Sequence, residues 1–329
     1  MPENDKKIPV LGISGSKIDS NSVKAMAKKV RENGGIPLVF ANHGKRDASL
    51  DIGKIDGLIV MGNDDDIDPK RYIDVYPKGD PRRDIHPQTA IPKEPEKLAA
   101  YEARAAYEEK LITLAMEHNM PTLGVCAGMQ SINVLHGGGL LQHIPDLVGN
   151  DIHTKNNGEE PYSPVIPVEI IVDSSVGKAA KVNLLYTPST PPPKSAVIKD
   201  NGFHHQAIDP DMVGNGLKIV AFSDNFTNVN GEQRRLPEAI EPDPNGPLKN
   251  WPMRGVQWHP EFGASVASSN LIADTVKQAA LNPRTLNRNR SHRTAVMLED
   301  IINQKQIILP KQRLVKPPSS NRGDGYASR

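Results

Sequence analysis

The chain has 329 residues, a formal net charge of +1 and a single cysteine. The balanced charge gives no electrostatic footprint for a specific nucleic-acid partner, and one cysteine excludes an intramolecular disulfide framework. Residues 1–7 are polar and charged without the apolar core of a secretion signal, and no stretch approaches the length of a membrane helix, so a cytoplasmic protein with no membrane partner is expected.

Residues 8–13 form a first apolar run and read as a buried strand. Asp19, Ser20 and Asn21 offer helix caps, Val23, Met26, Ala27 and Val30 recur at helical spacing, and Gly34 and Gly35 end that helix. Residues 37–40 and 57–61 are further strands, the latter running into Gly62, Asn63 and the acidic run Asp64, Asp65, Asp66. Continuous apolar strands alternating with helices predict an α/β fold with a parallel sheet covered on both faces. Residues 74–97 read as a surface loop, and a helix is predicted from about 96 to 118 with Ala99, Ala103, Ala106, Leu111, Leu114 and Ala115 as its apolar positions.

The strand at 121–125 leads into Cys126, and a helix follows from 129 to 136, stopped by three glycines. The cysteine thus stands at a strand-to-helix turn. Gly124 and Gly128 reproduce the glycine–x–nucleophile–x–glycine spacing of a nucleophile elbow, with sulfur in place of oxygen. A sharp turn needs residues without bulk on either side, a helix N-terminus favours the thiolate, and the Ala127 amide is placed to stabilise an oxyanion. A lone cysteine is otherwise most often a small buried hydrophobe; the flanking glycines favour the nucleophile.

Beyond the elbow, residues 140–144, 165–172, 218–222, 238–241 and 255–258 read as strands and 264–281 as a final helix. Residues 187–193 form a proline-rich insertion unsuited to a central strand. From Pro283 the composition turns basic, so the expected organisation is one domain over 1–282 and a basic, largely disordered tail over 283–329, with a short amphipathic helix at 294–302.

A thiolate nucleophile needs a base that also protonates the leaving group, and a carboxylate to orient it. His259 follows an apolar strand, where a parallel sheet places its active site; Glu261 lies two residues on, and Pro260 stiffens the link. A second oxyanion donor is expected at Gly62–Asn63, where either residue tolerates a left-handed backbone. Asp64, Asp65, Asp66 and Asp68 only loosely resemble a calcium loop and lack its terminal glutamate, so no metal is assigned. His204 and His205 are adjacent. Neighbours on a strand face opposite ways, which argues against a metal pair but leaves one of them to line a pocket.

These segments together resemble the gamma-glutamyl-gamma-aminobutyrate hydrolase family of the class I glutamine amidotransferase-like superfamily. The resemblance rests on residues 57–62 with Asp68, Pro69 and Tyr72, on 123–130 around Cys126, on 203–207, on 238–241 and on 255–261, in family order across roughly residues 8–281. It implies a flavodoxin-like, doubly wound, mostly parallel sheet and a Cys126–His259–Glu261 triad. It further implies hydrolysis of a gamma-glutamyl amide through a thioester on Cys126, with an oxyanion hole at Asn63 and Ala127. Gly62, Gln130, His204 and His205 are the substrate contacts it suggests, and no cofactor is implied. The family's usual arginine after the cysteine is Ala127 here, and its second glycine in the oxyanion turn is Asn63. A glutaminase subunit feeding ammonia to a separate synthase, and a non-catalytic binding relative docking through the basic tail, are the alternatives; a homo-oligomer is left open.

Overall fold

A computed structural model describes residues 8–15, 20–41, 43–154, 166–185, 193–263 and 265–282. Nearly all of the proline-rich insertion, the whole of 283–329 and the stretch 294–302 lie outside these residues.

The first half of the chain supplies β1 (Val10–Ser14), α1 (Asn21–Glu32), β2 (Ile36–Phe40), α2 (Ala48–Asp51), β3 (Gly57–Val60), α3 (Pro95–Glu117), β4 (Thr122–Val125) and α4 (Ala127–Leu135). The second supplies β5 (Leu140–Leu141), α5 (Pro145–Val148), β6 (Ile166–Ile171), α6 (Ser175–Ala180), β7 (Ser195–Asp200), β8 (Ala207–Ile208), β9 (Leu217–Thr227), β10 (Gln233–Pro242), β11 (Met253–Val256) and α7 (Val266–Leu281). Nine strands form one sheet in the order β2-β1-β3-β4-β11-β10-β9-β6-β7, while β5 and β8 pair separately. Neighbours from β2 to β11 are parallel; those from β11 to β7 are antiparallel.

The sheet is flavodoxin-like because its side chains alternate between two cores. Leu11, Ile13, Ile59, Leu123 and Val125 pack with Met26 and Val30 of α1 and Leu271 and Ile272 of α7. Val10, Leu38, Phe40, Leu58 and Val60 pack on the other face with Leu111 and Ile112 of α3 and Met129 and Ile132 of α4. This is the period of two of a strand buried on both sides. α1 follows its sequence signals: the Ser20 hydroxyl accepts from the Val23 amide at 3.3 Å, Val23, Met26, Ala27 and Val30 are all buried, and Gly34 turns out with φ +82°.

α3 follows its predicted face only in part. Leu111 and Ala115 are buried as expected, but Ala99 and Ala106 are exposed, and Tyr101, Arg104, Tyr107, Glu108 and Ile112 complete the buried stripe. Its polar members form an internal ion pair, Arg104 Nε to Glu108 Oε1 at 3.0 Å. That carboxylate oxygen also accepts from Ser14 Oγ at the end of β1 at 2.7 Å, and Arg104 reaches the Gly62 carbonyl at 3.5 Å. The pair therefore braces two sheet ends that border the site. Truncating either partner would strand the other charge in the interior, at a cost of about 3–5 kcal/mol.

The predicted loop at 74–97 is more ordered than its composition suggests. Short 3-10 turns at Ile73–Val75 and Pro81–Arg83 punctuate it. Arg83 donates to the carbonyls of Ile73 and Tyr76, and Arg82 bridges Asp80 and Asp209. β7, β8 and α6 are further elements not anticipated from the sequence. Among the described residues no helix is long and apolar enough to cross a membrane.

Candidate active site

Cys126 caps α4 with φ +51° and ψ −114°, a conformation that costs a non-glycine residue about 1–3 kcal/mol and is sustained only by its surroundings. Those surroundings are specific. The Cys126 amide donates to the Val256 carbonyl at 2.8 Å, extending the β4–β11 ladder one residue past β4. A Cβ on Gly128 would stand 2.1 Å from the Val60 carbonyl oxygen, and one on Gly124 would stand 2.8 Å from Ile132 Cδ1. Both glycines are thus required by the approach of α4 to β3 and β4. The sulfur accepts from Gln257 Nε2 at 3.5 Å, a donor suited to a thiolate.

β11 lies beside β4, with Val256 opposite Val125, so His259 leaves the sheet at the end that carries Cys126. His259 Nδ1 meets Glu261 Oε1 at 2.8 Å. The backbone of His259 is clamped by one side chain: its amide donates to Asn201 Oδ1 at 2.8 Å, and Asn201 Nδ2 donates to its carbonyl at 3.0 Å. Asn201 rests in turn on Asp200, whose second oxygen accepts from Ser265 and Ser268. Burial opposes a charge on His259, but the Glu261 carboxylate and the Cys126 sulfur outweigh it and hold His259 well above its ordinary value. The imidazole is thereby held in its protonated form beside the sulfur. Replacing His259 with Ala should therefore slow alkylation of Cys126 by iodoacetamide near neutral pH, and an unchanged rate would remove His259 from the role of base.

Gly62 fills a different role from the one expected of it. Neither Gly62 nor Asn63 has a positive φ. The constraint is space: a Cβ on Gly62 would lie 3.1 Å from His259 Cε1 and 3.2 Å from Cys126 Cβ. Glycine there lets Cys126 and His259 share one corner.

The sulfur opens on a pocket of about 300 Å³ that Asn63, Ala127, Gln130, His204, His205 and Gln206 help to line; Gly62 is not among its lining residues. Ala127 opens α4, in the turn whose amides lack partners within the helix. Several of the expected contacts already have partners. Gln130 Nε2 donates to the Gln206 carbonyl at 3.0 Å and to Gln257 Oε1 at 3.2 Å, which makes it a strut for the residue that donates to the sulfur. His205 bonds Asp66 at 2.8 Å and approaches His143 at 3.2 Å. His204 faces away from its neighbour, as adjacent residues should, but it does so from a loop and not a strand. It points toward His153 and Glu238, and these three form a group able to hold a metal ion. Burial pushes both histidines down, His204 strongly, and pushes Glu238 up to about 8. The acidic run does not converge: Asp64 is exposed, and Asp66 turns its oxygens to Ala90 and His205.

Gln206 is the functional candidate that the sequence did not single out. It lines the pocket, it is 2% exposed, and neither its Oε1 nor its Nε2 has a hydrogen-bond partner among the described residues. Asn201 and Gln257 were also not anticipated, because their partners lie 58 and 131 residues away in sequence.

Residues 9–261 match the family model described as peptidase C26. Protein NtpR of Enterococcus hirae is 28% identical over 274 residues, spanning 80% of this chain and 95% of that protein. A putative glutamine amidotransferase-like protein of Rickettsia prowazekii is 25% identical over 260 residues, spanning 70% and 78%. A putative glutamine amidotransferase of Mycobacterium tuberculosis is 30% identical over 212 residues, spanning 64% of this chain and 52% of that protein.

Proposed function

The chain belongs to the peptidase C26 family and is a hydrolase of the cysteine type, and from that premise we propose that it cleaves gamma-glutamyl amide bonds through a thioester on Cys126. The observation that carries the gamma-glutamyl part is Gln206. A buried carboxamide with both ends unpaired costs about 1–3 kcal/mol for each unsatisfied group, a cost that a ligand can recover. The glutamyl head carries an ammonium and a carboxylate on one carbon. Gln206 Oε1 accepts from the first and Nε2 donates to the second, a match that a peptide interior does not offer.

In this reading the Cys126 thiolate attacks the gamma-carbonyl carbon, and the carbonyl electron pair moves to an oxygen held by the amides of Ala127 and Asn63. His259 passes its proton to the departing nitrogen, the C–N bond breaks, and the amine leaves with the glutamyl group bonded to sulfur. Water then gives a proton to His259 and its oxygen attacks the same carbon. Collapse breaks the C–S bond, returns the thiolate–imidazolium pair and releases glutamate. Glu261 holds the imidazole in place throughout and offsets its charge. The site needs no metal for these steps.

The test is glutamate release from gamma-glutamyl-GABA, glutathione and glutamine, with Gln206→Leu as the diagnostic variant. Turnover of at least one amide is expected, with KM raised about 10–100-fold in the variant and kcat changed less, since the lost contacts bind substrate and transition state alike. No glutamate from any member would remove the gamma-glutamyl reading, and an unchanged KM would remove Gln206 from it. Of the relatives, one is named a putative glutamine amidotransferase-like protein and another a putative glutamine amidotransferase, which favours a second reading, in which glutamine is the substrate and its ammonia passes to a partner. Glutamine as the sole substrate, cleaved slowly until a partner binds, would support that one.

A further inference from the structure

Behind the pocket wall three donor atoms meet in the interior. His153 Nδ1 lies 3.1 Å from His204 Nε2; Glu238 Oε1 lies 3.6 Å from the first and 3.9 Å from the second. All three side chains are essentially sealed from solvent. We propose that His153, His204 and Glu238 hold a divalent metal ion, zinc by the chemistry of the donors, at a site separate from the catalytic triad.

The positions of the protons support it first. His153 Nε2 is 3.1 Å from Asp224 Oδ2, and an ionised carboxylate only accepts, so that nitrogen carries the ring proton. His204 Nδ1 is 3.0 Å from the Gln206 carbonyl, which also only accepts, so the second ring proton is there. For two neutral rings the facing nitrogens then present lone pairs to each other. Glu238 Oε1 accepts from Ser223 Oγ at 2.6 Å and faces the same gap. Two imidazole lone pairs facing each other in a dry interior repel unless something positive, an ion or a proton, lies between them.

The geometry and charge agree. Donors about 2.0–2.2 Å from a tetrahedral zinc lie about 3.3–3.6 Å apart, and the three observed separations bracket that range. Each histidine has its outer nitrogen fixed by a carboxylate or a carbonyl, the arrangement that orients metal-binding imidazoles. With the ion bound, Glu238 would give up its proton and, with Asp224, balance a double positive charge. Two imidazoles and a carboxylate suit zinc better than calcium or magnesium, which prefer oxygen donors. With no opening to solvent the ion would be structural. It would tie the loop after α5 and the 201–206 loop to β10, and through His204 it would fix the Gln206 backbone at the pocket.

The test uses the untagged full-length chain in the Cys126→Ala background, so that the thiol cannot bind metal. After exposure to zinc and dialysis, metal content is measured by mass spectrometry of the ion, and the melting temperature is measured with and without zinc. One zinc per chain and a higher melting temperature are expected, retained when His143→Gln removes a ring from the neighbouring histidine cluster and lost with His153→Gln or Glu238→Gln. Should those two variants fail to fold, Asp224→Asn keeps every ligand and should weaken zinc binding about 10–100-fold. Zinc content no higher than in the ligand variants, with no thermal shift, would overturn the proposal and assign the gap to a proton shared by the two rings. Equal affinity in Asp224→Asn and its parent would overturn it too, and so would loss of the ion with His143→Gln.

Discussion

Cys126→Ala is expected to destroy turnover and to leave the folded protein almost unchanged. In the proposed mechanism the sulfur is the atom that bonds to the substrate, and without it only binding and the oxyanion amides would remain, so a loss of at least about 10⁴-fold is expected. Stability should change little. The side chain is small, its polar contacts are long ones to the Gln257 amide at 3.5 Å and the Phe203 carbonyl at 4.0 Å beside the His259 ring, and alanine keeps the Cβ that the strained turn already accommodates. A change of about 1 kcal/mol or less is expected from the vacated volume, seen as a near-identical circular dichroism spectrum and melting temperature. Substantial residual turnover would mean that the chemistry lies elsewhere.

Gly128→Ala strikes the same turn from the other side, and its expected effect is on stability. The added carbon would sit 2.1 Å from the Val60 oxygen and 2.7 Å from the Val60 carbonyl carbon. Both atoms belong to the backbone of a central strand bonded on each edge, so no side chain can swing away. α4 must lift off β3 or β3 must leave register. Overpacking usually costs about 1–3 kcal/mol, and a backbone clash this close belongs at or above the top of that range. That corresponds to a drop in melting temperature of about 6–12 °C. Lifting α4 also moves the Ala127 amide, so the rate should fall by about 10²-fold as well. Gly53→Ala is the control, since a Cβ there meets nothing within 4 Å. A Gly128→Ala protein as stable as that control would show that α4 and β3 are not held as described.

The elements of the candidate site were legible because they are local. The glycines at two residues before and after Cys126, the histidine at a strand end and the carboxylate two residues later are fixed by short-range geometry. So was the face of α1, whose buried positions are all apolar. α3 was misread because its buried stripe contains Arg104 and Glu108, and hydrophobic periodicity cannot register a side chain buried by its own ion pair. β7 was missed because it is an edge strand with only alternate residues buried, Ala196 and Ile198 among them. β10 was read too short because Arg234, Arg235 and Pro237 look unlike a strand; the proline is accommodated at an irregularity in the pairing with β9. Gly62 was recognised for the wrong reason, since sequence shows that a position tolerates no side chain more readily than it shows what occupies the space. Gln206, Asn201 and the His153–His204–Glu238 group depend on contacts between distant segments, which no local pattern carries.

The most direct test of the thioester is intact-mass spectrometry of the full-length protein, quenched in acid during incubation with gamma-glutamyl-GABA, glutathione or glutamine. A mass increase equal to one glutamyl group on the wild type, absent from Cys126→Ala and accompanied by release of the matching amine, is the predicted result. Amine release with no adduct on the wild type at any quench time, or the same adduct on Cys126→Ala, would contradict a covalent route through Cys126.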